Sequence, residues 1–125
     1  AAVAGAIRVC NYTYGANGWL GLAQIWLSSG HISQGTTKVN DTYFNGGYPI
    51  TEQRHVMCQE VGHDFGLGHT SENGSSQNTC MDYYGNTSNS DWTSTGPNSH
   101  DFSQLEIQHH WGVSNATSNP RGLGL

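Results

Sequence analysis

Along the first forty residues the chain reads with a period of two. In IRVCNYTY (7–14), Ile7 and Val9 alternate with Arg8 and Cys10, which predicts a half-buried strand. LGLAQIWL (20–27) and TTKVN (36–40) follow, each set off by Gly, Asn and Ser, so three strands are expected. A loop, YFNGGYP (43–49), then leads to ITEQRHVMCQEVGHDF (50–65), the clearest helix. Thr51 is its expected cap, Glu52 suits the first turn and Gly66 stops it. Residues 70–98 are Asn, Ser, Thr and Gly with aromatic interruptions and no repeat, hence loop. HDFSQLEIQHHWG (100–112) predicts a second helix, capped by Ser99 or Asp101 and ended by Gly112. Phe102, Leu105 and Ile107 would supply its apolar face, and the tail, 114–125, is expected to be loose. Strands followed by helices predict an α+β class.

Composition narrows the function classes. A chain of 125 residues predicts one domain, 1–125, with a modest core. Four Lys and Arg against nine Asp and Glu give a net charge of −5 without any basic cluster, so nucleic-acid binding has no electrostatic support. No apolar run reaches membrane-spanning length. AAVAGA at the start lacks a basic region or a long apolar stretch, so any signal peptide is expected to have been removed already. The three cysteines, at 10, 58 and 80, fit one pair plus one free thiol in an oxidising compartment. Three reduced thiols are the cytosolic alternative. Abundant small polar residues favour a secreted, loop-rich monomer.

Candidate chemistry concentrates in QEVGHDFGLGH (59–69). On a helix, Gln59 and His63 are one turn apart on one face, with Glu60 beside them. Gly66 lets the chain leave the helix and bring His69 to the same point. Three donors with a fourth position open is the layout of a catalytic zinc site. Two histidines six residues apart can be accidental, but Glu60 and Gly66 in register make the pattern specific. His31, His100, His109 and His110 read as surface or capping residues, the last two favouring a helix C-terminus. The four tryptophans read as core or cleft wall.

The segment resembles the extended zinc motif of the metzincin endopeptidases. CMDYY (80–84) resembles their Met-turn, which implies that Met81 lies beneath the metal. The strands before the helix and PNSHDFSQLEIQHHWG after it resemble matrixin-type members, so the resemblance covers roughly residues 7 to 112. It implies a short twisted mixed sheet, an active-site helix and a loop-rich lower part. It also implies one catalytic Zn²⁺ that acidifies a water and polarises a peptide carbonyl, Glu60 as general base, and a peptide or protein substrate. That substrate would add as a strand to the sheet edge, expected at GLAQIWL. Family members begin with a further strand and a backing helix, for which there is no room before Ile7. A very small member and a removed N-terminal segment are both expected explanations.

Gln59 stands where the family has its first histidine. Three arrangements are open: Gln59 ligates through its amide oxygen with His63 and His69; His55, a turn earlier, substitutes; or no metal binds tightly. Tyr83 matches the M-x-Y position of astacin- and serralysin-like members, which implies a zinc ligand or a donor to the transition state, with ordinary packing as the alternative. The resemblance also implies a Cys58–Cys80 disulfide, since Cys80 precedes Met81 and Cys58 precedes Gln59, leaving Cys10 free. Oxygen-rich loops in 70–98 leave Ca²⁺ open. A catalytically silent binding domain is the alternative function, and a metal-dependent hydrolase of another substrate, such as glycans, is a weaker one.

Overall fold

The computed structural model describes residues 2–110 and 121–124. The backbone forms strands β1 (Ile7–Tyr12), β2 (Gly21–Ser28), β3 (His31–Asn40) and β4 (Arg121–Gly124), and helices α1 (Asp41–Phe44), α2 (Ile50–Asp64) and α3 (Ser99–His110). The sheet order is β1-β3-β2-β4. β1 runs parallel to β3, and β2 runs antiparallel to both β3 and β4. The fold class is therefore α+β. Ser29 and Gly30 join β2 to β3 with φ of 52° and 78°, the two positive angles of a tight hairpin turn that matches strand twist.

Alternation in β2 and β3 buries Ala23, Ile25, Thr37 and Val39 on one face. Helix α2 packs against this face, where Val39, Phe44 and Val56 form a core cluster with Leu20 and Met57 beside it. A second cluster joins Leu67, Cys80 and Met81 to Cys58 and Leu105. Two glycines allow the close approaches. A Cβ at Gly21 would collide with Val56 Cγ1 and Glu60 Cγ, and one at Gly62 would collide with Met81 Sδ.

Several expectations change. GLAQIWL lies between β3 and β4, so it is not the sheet edge. Part of the tail expected to be loose is strand β4, while the rest of 114–120 and Leu125 lie outside the described residues. β3 starts at His31, five residues before the expected TTKVN; its polar and glycine positions hide the period. Alternation fails in β1. Val9 is 48% exposed and Cys10 half-buried, because α2 packs over β2 and β3 and hardly reaches β1. Residues 41–44, partly expected as loop, form α1, capped by Asn40, whose side chain accepts from Thr42 N. The amide of Asn40 also donates to Gly15 O and Trp19 O, fastening the loop before β2.

The helix caps also differ. Thr51 does not cap α2; its hydroxyl donates to Ser88 O, and Pro49 occupies the cap position. α3 is capped by Asn98 rather than Ser99 or Asp101. Asn98 Oδ1 accepts from Asp101 N, and Asp101 Oδ2 accepts from Asn98 N, a reciprocal box that satisfies two otherwise free donors. Of the expected α3 face only Leu105 packs inward; Phe102 and Ile107 are exposed. The alternatives for cysteine resolve to one Cys58–Cys80 disulfide and a free Cys10.

Candidate metal centre

The C-terminus of α2 sets the site. Gly66 takes φ of 96°. Leu67 N donates to Gly62 O and Gly66 N to His63 O, the paired bonds of a Schellman ending. The chain therefore leaves the helix at Gly66 and returns, as the glycine in the motif predicts. Thr70 N donates to Met81 O and Tyr83 N to Ser71 O, which ties the returning segment to the turn around Met81. That turn is held from below by the disulfide and by Cys80 N donating to Gly96 O.

This arrangement brings His63 and His69 together. Their Nε2 atoms face each other at 3.1 Å. His63 Nδ1 lies 2.7 Å from Leu67 O, and His69 Nδ1 lies 2.8 Å from Glu72 Oε1. A carbonyl and a carboxylate only accept, so each Nδ1 donates to its oxygen, and the two Nε2 atoms meet each other. Two nitrogens on one tetrahedral ion, each about 2.0–2.1 Å from it, stand about 3.3 Å apart, close to the separation here. Glu72 was not singled out in the sequence. It stands three residues after His69 and orients that ring as carboxylates orient metal-bound histidines.

Gln59 is fully buried. Its Nε2 donates to Cys80 O at 3.0 Å and to Asp82 O at 2.5 Å. Both amide protons are thus used by the Met81 turn, and Oε1 is left buried with no hydrogen-bond partner. Helical spacing puts Gln59 one turn before His63 on the same face. Among the described residues no group of three His, Cys, Asp or Glu side chains could hold a metal. His55, the alternative donor, is engaged elsewhere: Nδ1 lies 2.6 Å from Ser94 O, and Nε2 faces Asp82 Oδ1 at 3.8 Å.

Glu60 is buried, with neither carboxylate oxygen hydrogen-bonded. Burial, with a smaller contribution from Asp64, pushes its pKa up to about 8. Asp64 is pushed up to about 6 by burial, opposed by its hydrogen bonds to Thr37 and the Gln24 backbone. A divalent cation beside Glu60 would reverse the first shift by favouring the carboxylate. Tyr83 is 43% exposed, its ring 5.4 Å from that of His69. It also walls a cleft of about 370 Å³ with Leu20, Tyr43, Tyr48, Tyr84 and Glu52. Asn86 N donates to Glu52 Oε2, which anchors the start of the 85–98 loop to α2.

No family model, no curated protein and no solved structure matched this chain.

Proposed function

We propose that this protein is a secreted zinc-dependent endopeptidase of the metzincin type, with Gln59, His63 and His69 as metal ligands and Glu60 as general base. Gln59 carries the reading. Its amide nitrogen is fixed by two backbone carbonyls, and its oxygen is buried without a partner. A buried unpaired amide oxygen costs about 1–3 kcal/mol, and a cation shared with the two histidines removes that cost. The donor set, one oxygen and two nitrogens, suits Zn²⁺.

Bound there, the ion would supply Lewis acidity to a water and to the scissile carbonyl. Glu60, beside Gln59 on the helix, would accept the proton of the attacking water and return it to the leaving amine. Tyr83, exposed beside His69, can donate a hydrogen bond to the oxygen that becomes negative. The aromatic cleft beside Tyr83 offers room for one substrate side chain. Met81, packed against Gly62, supports the floor of the site. The disulfide favours an oxidising compartment, and no helix among the described residues is long and apolar enough to cross a membrane.

Quenched-peptide cleavage tests the reading. Zinc-loaded protein should cleave, a chelator should abolish cleavage, and Glu60→Gln should lower kcat by at least about a hundred-fold while zinc stays bound. Stoichiometric zinc without cleavage would establish the silent binding domain instead. Absence of zinc under saturating conditions would remove both metal readings.

A further inference from the structure

Strand β4 places four residues of the chain's own tail along β2. The pairs are Ile25 with Arg121, Gln24 with Gly122, Ala23 with Leu123 and Leu22 with Gly124. This ladder covers the side of β2 that β3 leaves unpaired. A peptide joining that side of β2 would need the same backbone groups, so it and β4 exclude each other. The ladder also points at the site. Gly21, next to Leu22, lies against Glu60 so closely that a Cβ there would overlap it. The tail therefore runs along β2 towards Glu60, with Gly124 nearer than Arg121, and β4 also touches α2. Its sequence, Arg-Gly-Leu-Gly, alternates glycine with larger residues.

We infer that Arg121–Gly124 is a displaceable pseudo-substrate strand that competes with extended peptides for the β2 edge. The inference rests on the proposed peptidase reading for its effect on catalysis, but not for the docking itself. Docking of a short tethered strand is intramolecular, with an effective concentration on the order of 1 mM. It is stable enough to protect the edge from unwanted pairing and weak enough for a good substrate to displace. A tail docked nine-tenths of the time would raise the apparent KM about ten-fold and leave kcat unchanged.

The test uses the full chain and the double substitution Gly122→Pro/Leu123→Pro. Neighbouring N–H groups in a strand point to opposite sides, so one of the two prolines must remove a ladder donor. The readout is hydrogen exchange of the β2 amides that face away from β3, together with peptide-cleavage kinetics. In the variant these amides should exchange at least ten-fold faster, while β3 and α2 amides are unchanged. The apparent KM should fall about ten-fold at constant kcat. A synthetic peptide of sequence SNPRGLGL, at millimolar concentration, should restore the protection and inhibit the variant competitively. Equal exchange in the two proteins would overturn the docking. Faster exchange with unchanged KM would overturn the competition. If neither protein cleaves any peptide but the synthetic peptide restores protection, the peptidase reading fails and the strand-accepting edge stands. If it restores none, the inference fails as well.

Discussion

Gln59→His separates what the side chain does for the fold from what it does for a metal. Gln59 spends both amide protons on Cys80 O and Asp82 O. A histidine that turns Nε2 to a metal keeps a single donor, Nδ1–H, so at least one of these buried carbonyls loses its partner. Leaving one buried acceptor unpaired costs about 1–3 kcal/mol. For a chain of this length that lowers the metal-free melting temperature by roughly 4 °C per kcal/mol. Imidazole is also the stronger zinc donor, so affinity should rise by ten-fold or more, equivalent to about 1.4 kcal/mol per decade. The variant should therefore melt below the parent in chelator and bind zinc more tightly in competition with a chromogenic chelator. Unchanged melting would mean the two hydrogen bonds do not matter. Unchanged or weaker zinc binding would remove Gln59 from the ligand set.

Three further outcomes are expected. Replacing Cys58 and Cys80 by serine opens a loop of 22 residues and should lower unfolding free energy by roughly 3 kcal/mol in the chain-entropy model, read from urea midpoints; no change would mean the bridge stabilises nothing. Gly62→Ala puts a methyl group into Met81 Sδ and should cost about 1–3 kcal/mol, whereas a neutral result would show that Met81 can move aside freely. In chelator, stability should fall as pH rises. Glu60 is raised from 4.5 to about 8 and Asp64 from 3.8 to about 6. Carboxyls with raised pKa values stabilise while protonated, fully so below their unfolded values, and that contribution is lost as pH rises through about 6 and then about 8. Urea midpoints should drop between about pH 5 and about pH 9, and a rising midpoint would refute the assignment.

Much of this protein is legible locally. The helix 50–65 and its glycine stop follow from spacing and from the left-handed conformation that Gly66 adopts. Gln59, Glu60 and His63 share a helix, so their proximity needs only the 3.6-residue turn. The return of His69 follows from the break at Gly66. Strands β1 and β2 were both readable, but the buried face was read correctly only in β2 and not in β1, where Val9 is exposed.

Other features had no local signal. Nothing in GLAQIWL tells whether a neighbour lies on its far side; that depends on residues about a hundred positions later in the chain. The true cap of α2 is proline because Thr51 is drawn to Ser88 O, a loop carbonyl remote in sequence. The fate of Gln59 is the clearest division. The sequence put an amide where an imidazole was expected. Only the turn at Cys80–Asp82, tied to the helix by the disulfide, decided which end of that amide is hydrogen-bonded and which is not. Two backbone carbonyls accept, so the nitrogen turns to them and the oxygen stays buried without a hydrogen bond.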